Sequence, residues 1–186
     1  MKRFLFASSI LALALSTSSA AQYDIDTSHS AVNFQVTHLM ISDVDGVFNT
    51  FSGVVDFDEQ AKALKALSGE VLISSIDTKN DSRDKHLNAP DFFDSAKFPK
   101  ATLEMKSLKG KKLTADVTIR DVTKQIVFDV DVKGPITHPA KQDKSVIGIK
   151  LEGKLNRKDF GIGMDTKDAL VSDEILLRIQ LEAHSK

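Results

Sequence analysis

Apolar and polar residues alternate with period two through most of this chain, the mark of strands with one dry face and one wet face. Val32, Phe34 and Val36 share a face opposite Asn33, Gln35 and Thr37. Phe51, Val55 and Phe57 form a second stripe with Gly53 in register, and Val71 and Ile73 a third. Ala101, Leu103 and Met105 follow, then Leu113, Ala115, Val117 and Ile119. Ile126, Phe128, Val130 and Val132 make the sixth stripe. Ile147, Ile149, Leu151 and Leu155 (with Gly153) make the seventh, and Ile175, Leu177, Ile179 and Leu181 the last. Lys109-Gly110-Lys111 and Arg120-Asp121-Val122 are short enough for hairpin turns, so consecutive strands should pair antiparallel. Eight amphipathic strands of this kind can form a sandwich or close into one barrel, and an eight-stranded barrel is either filled or holds one small ligand. The first barrel strand is expected to begin near Ser30, with Phe34, Phe51, Phe57, Val117 and Phe128 pointing inward.

Two intervals break the alternation. Asn80-Asp81-Ser82-Arg83-Asp84-Lys85-His86-Leu87 opens on N-cap residues, and Pro90 limits the helix to about two turns. The segment after it carries Phe92, Phe93 and Phe98, three aromatic rings outside any regular strand. These rings either plug one barrel end or form a lid over a cavity mouth, and the sequence leaves both readings open. Gln60 to Leu67 (QAKALKAL) has a weaker helical pattern and reads as a link between strands.

Met1-Lys2-Arg3, the apolar run Phe4 to Leu15 and the small residues Ser16 to Ala21 have the form of a secretory signal peptide, cleaved after Ala20 or Ala21. The apolar run is too short to span a bilayer, which takes about 20 residues. The expected organisation is therefore a signal peptide over 1–21 and one β-barrel domain over 22–186, in the periplasm, without a permanent membrane anchor. Of the chain's 25 Lys and Arg, Lys2 and Arg3 leave with the signal, so 23 basic face 26 acidic residues, a net of −3. That balance argues against a nucleic-acid partner, whose signature is a strongly basic face. The chain has no cysteine, so disulfides, thiol catalysis and thiolate metal sites are excluded.

Arg83-Asp84-Lys85-His86-Leu87, Asp91-Phe92-Phe93 and Ala96-Lys97-Phe98-Pro99-Lys100-Ala101-Thr102 resemble the hallmark segment of the YceI-like family. The opening Tyr23-Asp24-Ile25-Asp26 with His29, Val32-Asn33-Phe34 and His38-Leu39 resembles the family's first strand, and Gly46 to Phe57 its Phe-rich second strand. Val122-Thr123-Lys124 with the Phe128 strand, and Lys158-Asp159-Phe160-Gly161-Ile162, resemble its later strands; Gln125 departs from the proline that many members place there. The resemblance implies an all-β, eight-stranded, antiparallel lipocalin-like barrel in the periplasm. It also implies a long-chain isoprenoid lipid inside, such as a polyprenyl chain or an isoprenoid quinone, with no other cofactor. A quinone ligand would link the protein, by family analogy, to a membrane redox partner.

The residues expected to contact the ligand are Phe34, Val36, His38, Phe51, Phe57, Ile73, Arg83, Phe92, Phe93, Met105, Val117, Phe128 and Ile149. No catalytic set is recognisable: the serines include no nucleophile elbow, and Gly161-Ile162-Gly163 is too short for a phosphate loop. No pair among the five histidines has the short spacing of a zinc site, so no metal is expected. A structural or protein-interaction module of the envelope stress response and an enzyme on a lipid or quinone substrate stand as alternatives. Burying roughly 400 Å² of lipid at about 25 cal/mol per Å² gives on the order of 10 kcal/mol before ordering costs, so a carrier needs no polar catalytic group.

Overall fold

A computed structural model describes residues 20–186; the signal-peptide segment lies outside the described residues except for Ala20 and Ala21. Ten strand segments make a single antiparallel sheet: β1 Ala21–His38, β2 Ser42–Phe48, β3 Phe51–Asp58, β4 Ala63–Leu72, β5 Ile76–Asp77, β6 Lys100–Lys109, β7 Lys112–Ile119, β8 Val122–His138, β9 Lys141–Asn156 and β10 Val171–Ser185. The order is β10-β9-β8-β7-β6-β4-β3-β1, and β10 pairs with β1 to close the ring. The result is the eight-stranded barrel that the family resemblance implies, one of the two arrangements the alternation left open. The number ten arises because two strands are interrupted at the same level. β2 and β3 are one strand broken at Asn49-Thr50, and β4 and β5 one strand broken by a 3-10 turn over Ile73–Ser75. Ser75 stitches the two breaks together: its carbonyl accepts from Asn49 N–H at 3.1 Å, and its Oγ accepts from Thr50 N–H at 2.9 Å.

Two elements differ from the sequence expectation. The first strand begins at Ala21, not near Ser30. Tyr23 and Ile25 already alternate inward there, and Tyr23 is fully buried. A bulge hides the continuity, because residues 27–30 of β1 lie opposite Leu181 alone in β10. Gln60 to Leu67 is not helical; Ala63 onward is strand β4. The i, i+3 spacing of Leu64 and Leu67 imitates a helix face, but a bulge produces it. Leu64 pairs with Phe57 and Ala66 with Asp56, which leaves Lys65 as the extra residue and both leucines buried. Lys65 Nζ reaches the buried Asp58 Oδ2 at 3.4 Å. The hairpin turns at Gly110 and Arg120 and the helix α1, Asp81–Leu87, stand as the sequence indicated. Asn80 caps the helix by accepting from Arg83 N–H at 2.9 Å.

All connections that carry inserted structure leave from one end of the barrel: α1 with the phenylalanine segment between β5 and β6, and the 157–170 segment between β9 and β10. The opposite end is packed. Tyr23, Phe57, Leu113, Phe128, Ile147, Ile149 and Ala183 are all fully buried there. A Cβ on Gly153 would lie 2.5 Å from the ring of Phe128, its partner across the strands, so the missing side chain makes room for that ring. Toward the other end, Gly46 yields in the same way to Phe34. Tyr23 meets Phe57 edge-on at 6.0 Å, and its Oη donates to Glu59 Oε1 at 2.5 Å. Burial, with the Glu59 hydrogen bond second, pushes the Tyr23 phenol up to about 12 from 10.0.

The folded state thus favours the neutral phenol. The stability this group contributes is fully present below pH 10 and lost as pH rises through about 12. Urea midpoints measured across that window should fall more steeply for the wild-type protein than for Tyr23→Phe. Parallel curves would contradict the burial of an unionised Tyr23.

Candidate functional site

Inward-facing side chains are not equally buried along the barrel, and the gradient locates a hollow. On β10, Ala183 and Leu181 are buried, while Ile179, Leu177 and Ile175 point the same way yet keep part of their surface open. On β1, Tyr23 is buried, whereas Val32, Phe34 and Val36 are only partly so. An inward apolar residue with free surface must border empty space. That space is a cavity of about 520 Å³, within the roughly 300–1,000 Å³ of typical small-molecule sites. Its wall is built from aliphatic and phenylalanine side chains of β1, β4, β6, β7, β9 and β10, among them Leu67, Val71, Leu103, Leu151 and Leu177.

Nine of the thirteen expected contact residues border this cavity: Phe34, Val36, His38, Phe51, Ile73, Arg83, Phe92, Phe93 and Val117. Four do not, and the expectation is corrected for them. Phe57, Phe128 and Ile149 are fully buried in the packed half, and Met105 packs against the same core. Parity along a strand tells which face a residue occupies, but not how far up the barrel it sits. Ile73 lines the cavity from the 3-10 turn rather than from a strand.

The mouth is covered on one side by α1 and the phenylalanine segment. Phe93 lies edge-on to Phe48 at 6.2 Å, and Phe48 in turn touches Phe34 at 5.6 Å, so the segment is tied into the cavity wall. Phe92 meets His86 at 4.8 Å. His86 Nε2 and Asp91 Oδ2 are 2.9 Å apart, and this hydrogen bond holds the Asp91 carboxyl below the usual carboxylate range. Arg83 is fixed at the mouth by donating from Nε to Thr78 Oγ1 at 2.7 Å and from Nη2 to the Thr78 carbonyl at 2.6 Å. Thr78 Oγ1 donates in turn to Asp84 Oδ1. Both readings of this segment left open by the sequence have a physical counterpart here, since the same residues pack against the core and border an empty space.

Two arginines that the sequence did not single out organise the rest of the mouth. Arg157 is only 3% exposed. Its guanidinium donates to the carbonyls of Ile162, Thr166, Val171 and Ser172 and to Asp173 Oδ1 at 2.6 Å. A buried charge survives because every N–H finds an acceptor and a carboxylate balances it. Arg120 Nη1 bridges the carbonyls of Phe92 and Gly161, joining the phenylalanine segment to the 157–170 segment, and its guanidinium sits 5.4 Å from the Phe98 ring centroid. Backbone carbonyls carry no sequence signature, which is why neither role was legible. At the same rim the β1–β2 turn exposes apolar side chains, with Met40 73% and Ile41 84% exposed, and Leu39 N–H donates to the Leu170 carbonyl beside it.

An apolar fluorophore such as N-phenyl-1-naphthylamine should bind the protein at one saturable site. Leu177→Trp, which puts an indole into the hollow, should reduce that binding by an order of magnitude or more. Phe128→Ala should instead cost about 3–5 kcal/mol of stability and leave the dye affinity within a few fold. Equal loss of dye binding in both variants would contradict the division into hollow and packed halves.

Comparison with known proteins agrees with this geometry. The family model described as the YceI-like domain matches residues 23–183. A UPF0312 protein of Staphylococcus aureus is 37% identical over 143 residues, which cover 77% of this chain and 83% of that protein. The crystal structure of a Campylobacter jejuni YceI protein superposes with a TM-score of 0.73 at 37% identity, covering 81% of this chain and 90% of that one. A structure described as a polyisoprenoid binding domain from Saccharophagus degradans shares the fold at 15% identity, with a TM-score of 0.69 over 90% of this chain and 99% of its own. By its match along nearly all of the described barrel, the chain belongs to the YceI-like family.

Proposed function

We propose that this protein is a periplasmic lipid carrier that holds the chain of a long isoprenoid, a polyprenyl lipid or an isoprenoid quinone, in the open half of its barrel. The observation that carries the reading is the hollow itself. A cavity of about 520 Å³ is walled mostly by Val, Ile, Leu and Phe side chains, and several polar residues border it as well, among them Glu70, Arg83, His86, Arg157 and Thr166. An apolar tail gains burial inside at about 25 cal/mol per Å², while a polar head would remain at the rim near Arg83. The exposed Leu39-Met40-Ile41 turn lies beside the opening, so a tail leaving the cavity meets apolar surface before water. Family membership and the name of the Saccharophagus degradans neighbour are consistent with such a ligand. No helix among the described residues is long and apolar enough to cross a membrane. Export rests on the amino-terminal signal pattern, and a quinone cargo would bring a membrane redox partner with it.

The test is extraction from vesicles. Protein incubated with vesicles containing a long polyprenol, then separated from them, should carry away one molecule per chain, and Leu177→Trp should carry none. No extraction by the wild-type protein would exclude the carrier reading and favour the structural or interaction module. Chemical conversion of the extracted lipid would move the protein into the enzyme class.

The phenylalanine segment should govern release. In Phe92→Ala/Phe93→Ala, the strand pairing is untouched while ring contacts to the cavity are lost. The lipid off-rate should rise by tenfold or more with the barrel still folded. A large drop in thermal midpoint with an unchanged off-rate would make the segment a plug and not a lid.

A further inference from the structure

The β1 bulge brings together residues that are far apart in the chain. Asp26 and Glu182 are direct cross-strand partners on β1 and β10. Two carboxylates placed opposite each other repel unless something positive stands between them. Two imidazoles reach the same spot. His29 Nδ1 lies 2.9 Å from Asp26 Oδ2 and 3.8 Å from Glu182 Oε1. His184 Nε2 lies 2.9 Å from Glu182 Oε1 and 3.8 Å from Asp26 Oδ2. The four atoms form a ring of alternating nitrogen and oxygen with edges of 2.9 and 3.8 Å. Asp26, Glu182 and His184 offer ligand atoms that all lie within 4.8 Å of one another, and His29 Nδ1 stands beside both carboxylates.

The supporting contacts favour the same arrangement. Ser28 gives both its N–H (2.8 Å) and its hydroxyl (2.5 Å) to Asp26 Oδ1, which leaves Oδ2 turned toward the cluster. Ser30 Oγ accepts from Glu182 N–H at 2.9 Å and fastens the bulge to β10. The His138 ring backs His184 at 5.3 Å, its own Nδ1 occupied by the N–H groups of Ala140 and Lys141. Oriented ligands backed by hydrogen-bonding neighbours are how metal sites are built. All of this lies on the outer face of the closing seam. None of the four ligand residues borders the lipid cavity.

We propose that Asp26, His29, Glu182 and His184 form a binding site for a divalent transition-metal ion of the zinc type. Two imidazoles and two carboxylates with no thiolate suit Zn²⁺ in a four-coordinate site. On binding, each ligating imidazole nitrogen loses the proton it now shares with a carboxylate, to solvent or by tautomer exchange to the other ring nitrogen. Its lone pair then bonds the metal, and the two carboxylates neutralise the ion's charge. The ion would cross-link the bulge of β1 to β10, so it would reinforce the pair of strands that closes the barrel.

Full-length mature protein, stripped with a chelator and dialysed, should be titrated with Co²⁺ and then with Zn²⁺. The expected result is one saturable equivalent of Co²⁺ with the visible absorption of a tetrahedral site, displaced by Zn²⁺. Zn²⁺ should also raise the thermal midpoint of the wild-type protein by linkage. Neighbours of metal ligands are alone worth about 10–100-fold in affinity, so His29→Ala and His184→Ala should each weaken binding by at least about 100-fold. Glu182→Gln, which keeps the shape and a hydrogen bond, should fold normally in the absence of metal and still bind weakly. Absence of a saturable Co²⁺ spectrum, or equal binding by wild type and the three variants, would reduce the cluster to a set of imidazole–carboxylate pairs. The readout does not involve lipid and is independent of the carrier reading.

Discussion

Pairing of β10 with β1 is the constraint on which the remainder depends. Without it the sheet would have two long open edges, and its apolar face would lie half open to water. With it, every inward stripe faces every other across one small interior. β1 must meet β10 on one side and both β3 and β2 on the other, although those two are offset by the break at Asn49-Thr50. The bulge over residues 27–30 absorbs the mismatch. It also throws His29 outward onto the seam, where Asp26, Glu182 and His184 already stand. A geometric necessity of closure thus creates a cluster of metal-ligating side chains.

Once the barrel is closed, side-chain volume decides which half is solid. An eight-stranded barrel is just wide enough for side chains to fill it or for one ligand to enter. Tyr23, Phe57 and Phe128 converge at one end and fill it, aided by the missing side chain at Gly153. At the other end the inward positions hold Val32, Ala101, Leu103, Val117 and Ile179, which leave a hollow. The inserted segments lie over that end and are held by Arg157 and Arg120 through backbone carbonyls. Such hubs fix the shape of the mouth, and Arg157 itself borders the cavity there with its N–H groups already donating to carbonyls and Asp173.

The strands were legible because period two survives wherever the register is regular, from Val32 to Val36, Leu113 to Ile119, Ile126 to Val132, Ile147 to Leu155 and Ile175 to Leu181. It failed at the bulges. Lys65 made Leu64 and Leu67 resemble a helix, and the 27–30 bulge concealed the first half of β1. The helix and its cap were legible because capping is local chemistry. The site was half legible: inward parity found Phe34, Val36 and Val117 but could not separate them from Phe128 and Ile149, since depth along the barrel depends on strand stagger. Arg157 was hidden because most of its acceptors are backbone carbonyls of the segment that follows it, which no sequence pattern marks. The His29–His184 cluster was hidden because β1 and β10 meet only when the barrel closes.

The central claim is that the open half of the barrel exists to hold one apolar chain. Native mass spectrometry of the protein purified from a periplasmic extract without detergent tests it most directly. The account predicts a species heavier than the polypeptide by the mass of a single lipid, released as an isoprenoid on organic extraction and absent from Leu177→Trp. Wild-type protein at the bare polypeptide mass, with no lipid in the extract, would contradict it.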